Sequence, residues 1–216
     1  MNFELIYEWS DLFLKGTLIT IGISVAGILL GAMLGLVIAL GRMARTVYVR
    51  WPTDAYVNFF RGTPLLVQVL IIHFGVVPAL YGSSNVYIAA ILALTLNSAA
   101  YCAEIYRAGI QSIDKGQREA SYSLGMTHFQ AMRFVILPQA VKRMIPAFGN
   151  EFIVLVKDSS IVSVIAAPEL MYWARSMGAA AYKVWEPYLT AALIYFILTY
   201  SLNKLLIYIE RKTVTQ

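Results

Sequence analysis

The densest polar chemistry in this chain lies in "NEFIVLVKDSSIVSVI", residues 150–165, where Glu151, Lys157 and Asp158 interrupt an apolar run. Glu151 and Asp158 are seven positions apart. On a helix turning by about 100° per residue they return to one face, about 10 Å apart along the axis. Val154 and Leu155 fall on the same stripe. Two carboxylates on one stripe make an acidic site for a cationic ligand if they face a cavity. If they face neighbouring helices, they pair with cations there. Lys157 adjoins Asp158 but is directed elsewhere, because i,i+1 positions do not share a face.

Other groups could complete such a site. "LALTLNSAAYCAEIYR", residues 92–107, places Asn97 and Ser98 mid-run, with Tyr101 and Glu104 further on. Gln68 lies in an earlier apolar run. Amides and hydroxyls can donate to a ligand carboxylate; they can equally join helix to helix. Glu104 and Arg107, at i,i+3, read as a local ion pair. His73 has no second ligand at metal spacing and reads as a packed histidine. Cys102 is the single cysteine, which excludes an internal disulfide and a Cys-rich metal site. No metal site is expected, and no nucleophile has a base near it, so the chain does not read as an enzyme.

The elements that must hold these groups are membrane helices. Of 216 residues, 59% are hydrophobic and 13% charged, against about a quarter charged in a soluble domain. The fold class is therefore all-α integral membrane, one transmembrane domain over 1–216. Runs of about 20 apolar residues predict five spans, at 12–40, 64–80, 86–106, 145–167 and 188–209. The fourth is weakest, since it contains the three charges above. Lys and Arg cluster in the first and third connections and at the C-terminal end. That bias predicts an outside N-terminus and a cytoplasmic C-terminus. The net charge of +5 is then a topology signal, and nucleic-acid binding is not expected. The opening "MNFELIYEWSD" is acidic and lacks a basic n-region, so no signal peptide is expected. Gly27, Gly31 and Gly35 repeat at four-residue spacing, which permits close helix approach, either within the chain or between subunits. Trp173, Tyr182 and Trp185 in the outer connection at 168–187 suit an interfacial belt or a short outer helix.

One cytoplasmic segment is too polar for lipid: "DKGQREASYSLGMTHFQAMRFVILPQA", residues 114–140. Asp114 with Gln117 and Thr127 with Gln130 have capping-box spacing. Gly125 supplies a left-handed helix stop. The segment reads as a helix over 114–124, a glycine elbow, and a second helix that Pro138 interrupts. It is either a connecting surface loop or a docking element.

"EASYSLGMTHFQAMRFVILP" resembles the EAA signature of membrane subunits of bacterial ABC importers. That pattern is Glu-Ala-Ala, three residues, Gly, nine residues, Ile, one residue, Leu-Pro. Here it is Glu119, Ala120, Ser121, Gly125, Val135, Leu137 and Pro138, with Ser121 and Val135 as mild departures. "FFRGTPLLVQ" and "NEFIVLVKDSSIVSVI" are similar to the polar amino acid permease branch, of histidine, arginine and glutamine permease type. The resemblance implies a type I importer permease architecture in the bacterial cytoplasmic membrane. It implies a coupling helix carrying Asp114, Arg118, Glu119, Ala120, Ser121 and Gly125. It also implies two copies of an ATP-binding subunit holding ATP and Mg, a second permease subunit, and an extracytoplasmic solute-binding protein. We expect the second subunit to be another copy of this chain. No cofactor is expected in the chain itself, which has no G-x-x-x-x-G-K-[ST] loop. A polar amino acid then suits the candidate site of Glu151, Asp158, Asn97, Ser98 and Gln68. Two carboxylates favour a basic one: arginine, lysine or histidine. The competing expectation is an ion-coupled secondary amino acid transporter with Glu151 and Asp158 as its relay.

Overall fold

A computed structural model describes residues 3–214, and among them there are helices and turns but no strand. After a short α1 (Phe3–Glu8) come α2 (Ser10–Arg42), α3 (Val47–Gly62), α4 (Leu65–Tyr81) and α5 (Val86–Gln111). The polar segment at 114–140 begins with α6 (Lys115–Ser123). Then α7 runs over 128–158, a 3-10 helix covers Ser159–Ile165, and α8 (Leu170–Ala181) and α9 (Trp185–Val214) follow.

Among the described residues, three helices are long and apolar enough to cross a membrane: α2, α5 and α9. Helices α3 and α4 pass the same test only as a pair, bent by 109°. The bend has a local cause. Thr63 precedes Pro64, whose ring forces its predecessor out of the helical region, and both residues are extended. The predicted spans at 12–40, 64–80, 86–106 and 188–209 match α2, α4, α5 and α9 to within a few residues at most ends. The fourth, 145–167, needs correction. Its α-helix ends at Asp158, and 3-10 turns carry the chain to a left-handed Ala166. Ser159 turns its hydroxyl back onto the Val156 carbonyl, the local competition that disfavours serine inside helices. By length and composition the described residues thus give three regular membrane helices and a bent pair, beside the charged helix α7.

α5 is the centre of the bundle and α9 its rim: 61% of the most apolar stretch of α5 is buried, against none for α9. Ala89, Ala90, Ala93, Ala99, Ala100 and Ala103 are fully buried on α5. Facing them are Gly27, Gly31 and Gly35 of α2. A Cβ on Gly35 would stand 2.7 Å from the Cys102 Cβ and 2.8 Å from the Ala99 carbonyl oxygen. The glycine repeat thus serves packing within the chain. In lipid such close van der Waals contact, rather than hydrophobic transfer, holds helices together.

Two π turns, Ile72–Val76 in α4 and Met132–Ile136 in α7, each end two residues before a proline, Pro78 or Pro138. A proline ring clashes with the carbonyl four residues back. Widening one turn to i→i−5 bonds relieves that clash. Pro138 is expected from the sequence to interrupt the second helix, but the π turn absorbs it and α7 continues.

Candidate functional site

α5 and α7 meet at one buried hydrogen bond. The Ser98 hydroxyl donates to Glu151 Oε1 at 3.1 Å. Ser98 can sit there because Gly31 lies against its Cβ, where a larger residue would push α5 away. Glu151 is 9% exposed, and that remnant opens on a cavity of about 520 Å³ between α5 and α7. Arg61, Tyr101, Glu104, Arg143 and Asn150 also line it. Asp158, two turns outward on the same stripe of α7, is half-buried. Among the described residues neither Glu151 nor Asp158 is in an ion pair. No cation of a neighbouring helix pairs with either carboxylate among the described residues; Lys157, next to Asp158 in the chain, still acts on it electrostatically.

The other three candidates fall into two groups. Ser98 belongs to the Glu151 pair. Gln68 and Asn97 are bonded to each other, with the Asn97 amide donating to Gln68 Oε1 at 2.8 Å. Gln68 Nε2 in turn donates to the Phe60 carbonyl at 2.8 Å and to the Thr63 hydroxyl at 2.9 Å. Both amides are buried and fasten the α3–α4 bend to α5.

Elsewhere on the cavity wall, Glu104 gathers more than its predicted partner. Arg107 and Arg42 both pair with it, Arg61 stands 4.0 Å away, and Arg42 also donates to Asp54 Oδ1 at 2.7 Å. The Arg61 guanidinium also lies over the Tyr101 ring at 5.4 Å, so the node joins three helices, α2, α3 and α5. Sequence reasoning missed the node because Arg42 and Glu104, which bond across it, are 62 positions apart. It also missed Glu169, fully buried at the start of α8. That carboxylate accepts from the Met171 and Tyr172 amides, the Tyr195 hydroxyl at 2.7 Å and the Thr20 hydroxyl at 3.3 Å. The available signal was an acid directly before an amphipathic stretch, the pattern of a helix N-cap. His73 is buried and shares a hydrogen bond with Ser84 at 2.9 Å.

α6 is closed by hydrogen bonds at both ends. Asp114 caps α6 through the Gly116 amide at 2.7 Å. Gln117 does not return the bond; its Oε1 accepts from Gln139 of α7 instead, so the first predicted capping box is one-sided. The second, Thr127 with Gln130, is complete. Gly125 has φ +78°. The Met126 amide reaches back to the Ser121 carbonyl and the Gly125 amide to that of Tyr122, which closes the end of α6 in a Schellman motif. Glu119 and Ala120 face outward, Arg118 is half-buried and Ser121 points in. Leu124 is 79% exposed.

Residues 15–215 match the family described as binding-protein-dependent transport system inner membrane component. The chain belongs to that family. It is 43% identical to the arginine transport system permease protein ArtQ of Bacillus subtilis, over 92% of this chain and 91% of that one. It is 38% identical to a putative glutamine transport system permease protein GlnP of Rickettsia bellii, over 98% and 99%. Among solved structures, an amino acid ABC transporter with histidines superposes with a TM-score of 0.93 at 43% identity, covering 98% of this chain and 99% of that one. An inward-facing methionine transporter, MetNI, shares the fold at 24% identity, with a TM-score of 0.82 over 95% and 98%. This permease is thus a membrane subunit of an amino acid ABC importer, and its family implies ATPase and substrate-binding protein partners.

Proposed function

We propose that this permease forms the pathway of an ATP-driven importer for basic amino acids. One observation carries the reading: Glu151 lines a membrane cavity with Asp158 two turns away, and among the described residues neither is in an ion pair. An amino acid with a cationic side chain brings two positive groups, and these would answer the two carboxylates. Ser98 orients Glu151, while Gln68 and Asn97 shape the wall from behind. The name of the Bacillus subtilis relative, an arginine permease, favours the same class.

Two copies of the chain would enclose the pathway, with the N-terminus outside and α6 in the cytoplasm. ATP and Mg belong to two partner ATPase subunits, which grip α6 through Asp114, Arg118, Glu119 and Ala120; Ser121 and Gly125 set its shape. Closure of the ATPases would move both copies of α6 and rock the bundle between its two openings. The solute-binding protein would deliver substrate at the outer connections. Ligand shifts that equilibrium only by binding one state better.

The test is uptake of arginine against glutamine by the reconstituted permease–ATPase complex, with Glu151→Gln beside it. The reading expects arginine preference in the wild type and its loss in the variant. Unchanged preference would remove Glu151 from the site. Uptake by the chain alone under an ion gradient would favour a secondary transporter instead.

A further inference from the structure

α7 carries a second polar stripe beside the acidic one. Asn150 and Lys157 are seven positions apart and so share a face, turned about 100° from that of Glu151 and Asp158. They line a cavity of about 350 Å³ against α9, together with Thr199, Tyr200 and Asn203. Thr199 lies near the middle of the apolar stretch Trp185–Lys212, which places Lys157 deep in the membrane. Lys157 is exposed on the chain, and among the described residues its ammonium is in no ion pair. Lysines at such depth face a water-filled cavity or a protein partner rather than lipid. Asn150 and Asn203, also exposed, have the same requirement. Asn150 further lines the Glu151 cavity, so the two cavities meet around α7.

We propose that Lys157 is a specificity residue that receives the carboxylate of the transported amino acid, with Asn150 and Asn203 as supporting donors. This rests on the reading of Glu151 and Asp158 as the cation site. The two stripes then divide the zwitterion: carboxylates of α7 take the positive groups and the ammonium takes the negative one. A ligand lacking its carboxylate loses that charge-assisted hydrogen bond to the ammonium.

The test is direct binding of radiolabelled arginine and of argininamide to the purified permease–ATPase complex without solute-binding protein. Argininamide keeps both cations and has no carboxylate. The wild type is expected to favour arginine by about tenfold, the size of one charge-assisted bond. Lys157→Met should bring the two ligands to near parity, Lys157→Arg should restore the gap, and Glu151→Gln should weaken both alike. Equal binding of the two ligands by the wild type overturns the role of Lys157 without any variant. So does a Lys157→Met complex that keeps the gap, or a Lys157→Arg complex that loses it. If the wild type binds neither ligand, the cation site itself falls, and the carboxylate anchor with it.

Discussion

Ser98 on α5 donates its hydroxyl to Glu151 on α7 at 3.1 Å, across 53 positions of sequence. The bond fixes one carboxylate oxygen and leaves the other for the cavity. Ser98→Ala removes a hydrogen bond to a charged group without adding volume. Such bonds contribute about 1.5 kcal/mol or more, so the affinity of the complex for arginine should fall about tenfold. Equilibrium binding of labelled arginine measures it.

Gly35 tests the packing that places Ser98. Gly35→Val drives a side chain into the Cys102 Cβ and the Ala99 carbonyl. Overpacking of this kind destabilises by about 1–3 kcal/mol, and backbone contact puts this site at the upper end. Gly22 has nothing within 4 Å of an added Cβ, so Gly22→Ala is the control. Thermal unfolding in detergent should show a fall for the first and little change for the second.

The Gln68–Asn97 pair predicts a different loss. Asn97→Leu removes the donor to Gln68 and to the Phe60 carbonyl. A buried acceptor left unmet costs about 1–3 kcal/mol. Hydrogen exchange around Thr63 and Pro64 should quicken, because that bend loses its tie to α5, while arginine and glutamine should weaken equally.

Gly125 separates binding from coupling. Its φ of +78° disfavours a β-branched residue by about 1–2 kcal/mol. Gly125→Val should loosen the end of α6. Transport-coupled ATP hydrolysis should drop while arginine binding to the complex stays unchanged. A parallel fall in binding would mean that the elbow supports the bundle as well.

Glu169 carries a pH prediction. Burial raises its carboxyl above the ordinary range, against the opposing hydrogen bonds from Met171, Tyr195, Tyr172 and Thr20. A raised folded-state value means that the folded chain holds this proton more tightly than the unfolded one. Its contribution to stability is therefore largest at low pH. It is lost as pH rises from the unfolded value of about 4.3 through the raised one. Melting temperatures of the wild type should decline over that window relative to Glu169→Gln, which cannot ionise.

Much of this architecture is written locally. Asp114, Thr127 and Gly125 announce the ends of α6 and the start of α7 because caps and elbows are decided by a few adjacent residues. Hydropathy marks α2, α5 and α9 because lipid tests each helix by itself. The seven-residue spacing places Glu151 and Asp158 on one stripe from helix geometry alone.

Which way that stripe faces is not a local property. The sequence leaves Glu151 free to meet a cation or a cavity; only the approach of α5, permitted by Gly31, gives it Ser98 and an opening. The sequence leaves Gln68 and Asn97 open as ligand donors or as ties between helices; the Thr63–Pro64 bend brings the Phe60 carbonyl to them. Arg42 meets Glu104, and Thr20 and Tyr195 meet Glu169, through contacts between helices far apart in the chain. Periodicity determines which residues share a face. Close packing of whole helices determines what each face meets, and no window of sequence contains that information.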